Sequence, residues 1–298
     1  MTKIVIFADG TGNAFTRQES NVWRIYDALD LTQSDQLAHY VRGVGTSSFR
    51  PYAILDGATG IGVPRNVRTA YEFLCRNWSP GDEIYMFGFS RGSFTIRTLI
   101  GLIHHEGLLP VRDGAGVAIP LPILREDIMA AWRSYREKSA PFRLSRMSPL
   151  VWATRRLRDL CVRAYRGVRG RPPYKTMSDS SERRSPSITF VGLFDTVEAY
   201  GVPLEEFRRA IDWALWPISF RNNVISPLVE RVCHALSLDD ERTTFHPLRL
   251  DPNPPHGQKT AKHIEEVWFA GVHSDVGGGY PDAGLAYVPL LWMIECVL

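Results

Sequence analysis

An α/β fold with a mostly parallel central sheet flanked by helices is predicted by three observations on this 298-residue chain. Apolar runs of strand length alternate with amphipathic helical stretches, the pattern of a sheet whose strands are joined by helical crossovers. Polar or glycine-rich clusters follow directly on several apolar runs, where the ends of parallel strands converge on one edge. A Gly-x-Ser-x-Gly pentapeptide sits between an apolar strand pattern and an apolar helix pattern.

The first strand is Lys3 to Ala8, which runs into Asp9-Gly10-Thr11-Gly12-Asn13. Val22, Trp23, Ile25, Tyr26 and Leu29 then carry helical spacing over Asn21 to Leu31. Ala38 to Val44 reads as a second strand, and Gly43 to Pro64 as a long glycine-containing loop. Within it, Gly57-Ala-Thr-Gly-Ile-Gly62 fits neither dinucleotide-binding nor P-loop spacing and is assigned to the rim of the site. Val67 to Trp78 is a helix stopped by Ser79-Pro80-Gly81. Ile84 to Phe87 is a buried strand, Gly88-Phe-Ser-Arg-Gly92 a tight turn, and Ser93 to Ile103 a helix.

Pro110 to Pro186 interrupts the alternation and reads as an insertion or cap within a single domain spanning residues 1–298. It has helical periodicity over Ile123 to Arg136 and Leu150 to Val168, followed by a stretch to Ser187 rich in Gly, Pro, Arg and Ser and expected to be mobile. The sheet resumes at Ile188 to Phe194. A second excursion, about Gly201 to Asp240, holds amphipathic helical patterns at Phe207 to Trp216 and Leu228 to Leu238. Arg242 to Leu250 and Val267 to Val272 are strand candidates, and a final apolar helix leads to Leu298. That helix stops mid-pattern: either the natural domain continues, or the helix packs on the sheet and ends the chain.

Composition narrows the classes. A hydrophobic fraction of 44% is that of a globular protein. Cys75, Cys161, Cys233 and Cys296 are scattered, with no CxxC pair, so neither a metal site nor a disulfide framework is predicted, and no cofactor is expected. The N-terminus enters a strand at once, without a signal-peptide pattern, and no apolar run reaches the roughly 20 residues of a membrane span. A cytoplasmic location, or export without a cleavable signal, is expected. The net charge is only +3, but residues 125–184 hold 16 Lys/Arg against 6 Asp/Glu. Arginines interleaved with Trp132, Tyr135, Trp152 and Tyr165 suit either an anionic membrane surface or a solvated helical lid. No nucleic-acid-binding module is present, so no nucleic-acid partner is expected.

A strand–turn–helix with Gly-x-Ser-x-Gly is a nucleophile elbow: the turn exposes the Ser90 hydroxyl at the sheet end, and glycines such as Gly88 and Gly92 leave room for it. A serine hydroxyl needs a base, and the base needs a third group to orient it. His273 follows the Val267–Val272 run and Asp195 follows Ile188–Phe194, so both are placed at the same sheet edge. His104 and His105 lie at the far end of the nucleophile helix, and His234 lies inside a helical pattern. Asp275 either caps the loop after His273 or is itself the acid partner; a third reading pairs Asp9 and Asp275 around a hard cation such as Ca²⁺. For the oxyanion, the Arg91 N–H and the backbone at Gly10 and Thr11 are the predicted donors.

Phe7-Ala-Asp-Gly-Thr-Gly-Asn13, Gly88-Phe-Ser-Arg-Gly-Ser93, Phe194-Asp-Thr-Val197 and Gly271-Val-His-Ser-Asp-Val-Gly-Gly-Gly-Tyr280 occur in that order. Together they resemble the catalytic domain shared by type VI secretion phospholipase effectors and uncharacterised bacterial and fungal relatives. The resemblance covers nearly the whole chain, least of all the basic insertion. It implies an α/β-hydrolase fold, a Ser90–Asp195–His273 triad, and cleavage of phospholipid acyl esters by a serine esterase or lipase. The contrasting expectation is a catalytically silent protein of the same fold that docks on a membrane or partner through its basic face.

Overall fold

The computed structural model describes residues 1–10, 19–43, 62–139, 149–170, 183–197, 224–241, 248–252 and 259–298. Six strands, β1 (Lys3–Ala8), β2 (Gln36–Val41), β3 (Glu83–Phe89), β4 (Ile188–Phe194), β5 (Val229–Ser237) and β6 (His263–Phe269), form one sheet in the order β2-β1-β3-β4-β5-β6. Every neighbouring pair is parallel. The helices are α1 (Asn21–Asp27), α2 (Gly62–Asn77), α3 (Arg91–Glu106), α4 (Leu121–Ser139), α5 (Pro149–Val168), α6 (His273–Gly277) and α7 (Tyr287–Val297). This is the predicted α/β architecture, of the α/β-hydrolase type.

Both faces of the sheet are covered, so its central strands read as nearly continuous apolar runs. On one face Ile4, Ile6, Ile84 and Met86 pack against Val67, Tyr71 and Leu74 of α2 and Ile96, Leu99 and Ile103 of α3. On the other, Phe7, Phe87, Phe89 and Phe190 meet Val22 of α1 and Met293 and Cys296 of α7. Part of the insertion belongs to this interior: Leu124, Ile128, Ala131, Trp132 and Tyr135 of α4 are buried in the first cluster. The strand order reverses at β1, with α1 and α2 packed on opposite faces of the sheet.

Three expectations are corrected. Leu228 to Leu238 is not a helix but strand β5, with seven of its nine residues buried. A strand covered on both sides loses the two-residue alternation that marks it, and its spacing then resembles a helix. The last strand ends at Phe269 rather than Val272, which leaves Ala270, Gly271 and Val272 as a connection before His273. No strand covers Leu248 to Leu250, the described part of the Arg242–Leu250 candidate. The patterns at Phe207–Trp216 and over residues 44–61, and most of the Arg-rich stretch after α5, lie outside the described residues.

Candidate active site

Four strand ends build the site. β3 delivers Ser90, which turns directly into α3 with φ +58° and ψ −124°. β4 delivers Asp195, with φ +38°. These are the only non-glycine residues with positive φ among the described residues. Each such conformation costs on the order of 1–3 kcal/mol and persists only where surrounding structure imposes it. The imposing contacts are specific. Ser90 N–H donates to Phe194 O at 3.0 Å, and Ser93 Oγ donates to the same carbonyl at 3.0 Å, tying the elbow to the end of β4. Asp195 N–H donates to Ala235 O at 2.7 Å, tying the next residue to β5. Gly92 is required by close approach, because a Cβ there would lie 1.9 Å from the Ala8 carbonyl oxygen.

His273 opens α6, and its loop is fixed by the end of β5. Leu238 N–H donates to Phe269 O at 3.0 Å, Asp239 N–H to Gly271 O at 3.1 Å, and Gly271 N–H back to Asp239 Oδ2 at 2.6 Å. The Asp275 carboxylate accepts from Val272 N–H at 2.9 Å and so caps the first turn. The imidazole lies on the Phe89 ring, with centroids 4.7 Å apart. Gly277 lets α6 close over that ring, since a Cβ at 277 would sit 1.9 Å from it.

Ser90, Asp195 and His273 therefore meet. His273 Nε2 is 2.8 Å from Ser90 Oγ, and His273 Nδ1 is 2.5 Å from Asp195 Oδ2. All three are nearly or fully buried, with Asp195 at 0% exposure. The other acceptor positions of Asp195 are taken by β5: Ser237 N–H donates to Oδ1 at 3.0 Å and Ser237 Oγ to Oδ2 at 2.8 Å. With Nδ1–H donating to the carboxylate, Nε2 is left as the acceptor for the serine hydroxyl, the arrangement a general base needs.

The other predicted site residues have distinct fates. Asp9 is buried at the end of β1, where its carboxylate accepts from Gly10 N–H at 2.7 Å, from Ser20 Oγ at 2.8 Å and from the Tyr40 hydroxyl. Burial and the adjacent Asp9 carboxylate push the Tyr40 phenol up. The Gly10 amide, a predicted oxyanion donor, is thus engaged by its neighbour's side chain. A Cβ on Gly10 would nonetheless lie 3.3 Å from Ser90 Cβ, which puts its backbone beside the nucleophile. Arg91 begins α3 directly after Ser90. Thr11 lies outside the described residues. Asp275 caps α6 at its own loop, and no contact joins it to the His273 ring among those described.

Sequence reasoning missed Ser237 because β5 was read as a helix; as a strand end it would have been an obvious neighbour of Asp195. It also missed what His234 does. This fully buried ring accepts from Thr196 N–H at Nε2, at 3.2 Å, and faces Glu266 Oε1 with Nδ1 at 2.9 Å. Burial holds its pKa below the ordinary value, against the pull of Glu266. Asn21, at the start of α1, donates to Val276 O at 2.9 Å and Ala286 O at 2.8 Å and so anchors the far side of α6.

Two groups of three ligand-type side chains cluster among the described residues, and neither contains the Asp9–Asp275 pair. Asp195, Asp240 and His273 approach within 4.8 Å, but the first and last are already joined by a hydrogen bond to each other. Cys233, Cys296 and Glu265 also approach within 4.8 Å, and there the Arg231 guanidinium lies 3.4 Å from the Glu265 carboxylate and already supplies a positive charge. A cavity of about 480 Å³ runs along α3, lined by Phe94, Arg97, Thr98, Gly101, His104 and Tyr135 among others. It begins one helical turn past Ser90.

Comparison with known proteins gives one family by its model. The model of the catalytic domain of type VI secretion (T6SS) Tle1-like phospholipase effectors matches residues 2–296. An uncharacterised protein of Saccharomyces cerevisiae is 29% identical over 269 residues, covering 84% of this chain and 33% of the yeast protein. The crystal structure of an uncharacterised protein from Pseudomonas aeruginosa aligns with 99% of this chain and 45% of its own, at 17% identity and a TM-score of 0.48. The chain thus spans a third to under half the length of these two proteins.

Proposed function

From the premise that this chain belongs to the family of type VI secretion Tle1-like phospholipase effector catalytic domains, we propose that it is a serine hydrolase of phospholipid acyl esters. The observation that carries the reading is the continuous hydrogen-bond chain from Ser90 Oγ through His273 to Asp195, brought together from the ends of β3 and β4 and the start of α6.

Ser90 Oγ attacks the ester carbonyl while His273 Nε2 takes its proton. Asp195 holds Nδ1–H and stabilises the imidazolium. The tetrahedral oxyanion is held by the Arg91 N–H at the start of α3 and by the Gly10–Thr11 backbone, with the Gly10 amide exchanging its bond to Asp9 for one to the oxyanion. Collapse expels the lysophospholipid alcohol, which takes the proton from His273 and leaves Ser90 acylated. Water then attacks the acyl-enzyme with His273 as base, releasing the fatty acid and restoring the serine.

Incubating the purified protein with a lipid extract and reading the products by mass spectrometry tests this directly. Paired lysophospholipid and fatty acid are expected from the wild type, a loss of at least about 10⁴-fold for Ser90→Ala, and fluorophosphonate labelling mapped to Ser90. Undiminished turnover in Ser90→Ala, or labelling of another serine, would remove Ser90 from the mechanism. A protein inert to fluorophosphonate and to every ester would instead be the silent, docking relative.

A further inference from the structure

The outer face of α5 fits no interior role. On this helix Leu157, Leu160 and Val168 are 62%, 64% and 89% exposed, and Tyr165 is 48% exposed. Cys161 and Ala164 are exposed as well. At about 100° of rotation per residue, positions 157, 160, 161, 164, 165 and 168 occupy one continuous arc of the helix. Arg156 and Arg163, both exposed, border that arc on one side. Arg169, whose guanidinium lies 4.6 Å from the Tyr165 ring, borders it on the other. The side turned toward the protein is marked by Arg166, which is buried and bonded to Asp127 of α4 at 2.7 Å. The helix is therefore held by one edge and presents to the outside an apolar strip flanked by Arg156 and Arg163 on one side and Arg169 on the other.

We propose that this strip docks the protein on an anionic phospholipid bilayer, with Leu157, Leu160 and Val168 entering the acyl boundary and the flanking arginines on lipid phosphates. Charge and apolarity together select this occupant. A nucleic acid would engage the arginines and leave the leucines bare in water. A second copy of the same strip would set arginines against arginines. A neutral apolar partner would make no use of the basic excess of residues 125–184. The inference deepens the phospholipid-ester reading and rests on it: an enzyme acting on bilayer lipid must first hold the bilayer.

Cys161 gives a test that leaves the packing alone, since it is exposed while Cys75, Cys233 and Cys296 are buried. An environment-sensitive fluorophore on Cys161, in the Ser90→Ala protein so that the lipid stays intact, is expected to shift to the blue with vesicles of phosphatidylcholine and phosphatidylglycerol. With phosphatidylcholine alone the shift is expected to be small. In sedimentation with the anionic vesicles, Leu157→Ser/Leu160→Ser and Arg156→Glu/Arg163→Glu are each expected to lower partitioning about tenfold, with the charge pair losing its effect in high salt. A probe that does not respond to anionic vesicles, partitioning indifferent to both pairs, or a probe shift that follows protein concentration without lipid would overturn the proposal, the last by pointing to self-association. The two readings fail separately. A protein that cleaves a soluble ester but gives no vesicle response loses only the docking surface, whereas one that docks but never reacts with a fluorophosphonate loses the hydrolase chemistry.

Discussion

Two histidine–carboxylate pairs lie side by side in this interior. His273 meets Asp195 beyond the ends of β6 and β4, and His234 meets Glu266 across β5 and β6. Both rings are buried, both present Nδ1 to a carboxylate, and both are within reach of a hydroxyl at Nε2, Ser90 Oγ at 2.8 Å and Thr196 Oγ1 at 3.0 Å. The difference is what else Nε2 meets. In His234 it also accepts the Thr196 backbone N–H, so its lone pair is spent on holding the chain. In His273 the hydroxyl at Nε2 belongs to a serine projected from a strained turn. A carboxylate-bound histidine is thus no sign of catalysis by itself; the role we propose for His273 rests on the group opposite the carboxylate.

The largest effect should come from setting the two histidines against each other. His273→Ala is expected to lower kcat/KM for a soluble ester by about 10³-fold or more and to lower the urea midpoint less than His234→Ala does, because the buried Asp195 keeps both donors of Ser237. His234→Ala should reverse the pattern. It leaves the buried Glu266 carboxylate and the Thr196 N–H short of a partner, at a cost of about 3 kcal/mol of stability, and changes the rate of the remaining folded enzyme less than tenfold. If His234→Ala silences turnover without moving the unfolding midpoint, the distinction drawn between the pairs is wrong.

A smaller effect tests how the proposed catalytic pair, His273 and Asp195, is held. Ser237 gives Asp195 two donors, and only its hydroxyl is removable by substitution. Ser237→Ala should reduce kcat about tenfold, the equivalent of one hydrogen bond near 1.4 kcal/mol, with KM unchanged because Ser237 is buried behind Asp195 and bonded to it. A change confined to KM would place Ser237 in substrate binding instead.

The contrast also explains what was legible in the chain. The convergence of Ser90, Asp195 and His273 was readable because each lies at or just beyond the end of an apolar run, and the ends of parallel strands converge on one edge whatever their separation in sequence. His234 and Ser237 were not, because β5 is covered on both faces and Glu230 and Arg231 interrupt its apolar run, so its periodicity pointed to a helix. The capping by Asp275 was legible as one reading among three, since a carboxylate two residues past a histidine has the same signature whether it caps a turn or orients the ring. For α5 the arginines were visible in the composition, but which arc faces outward is set by the Arg166–Asp127 contact between two helices, and no local pattern encodes that.

The smallest predicted effect separates the pairs by pH. Burial depresses the His234 pKa below its ordinary 6.5, with Arg97 opposing the proton and Glu266 and Asp195 favouring it. The unfolded chain, with histidine near about 6.5, then binds a proton that the folded protein refuses. Stability from this group is complete above pH 6.5 and declines as pH falls toward the folded-state pKa, with a slope of at most about 1.4 kcal/mol per pH unit. Glu266 acts in the same direction but lower. Burial raises its pKa, yet hydrogen bonds from His234 and the Leu250 N–H, with Arg249 nearby, hold it below 4.5, so its contribution fades only beneath that value. Between pH 6.5 and 4.5 the difference between wild type and His234→Gln therefore isolates the histidine: the wild-type urea midpoint should fall more steeply on acidification than that of the variant. Parallel curves would mean that His234 carries its proton already. Nε2 could not then accept the Thr196 N–H, and the structural role assigned to His234 through that bond would be wrong.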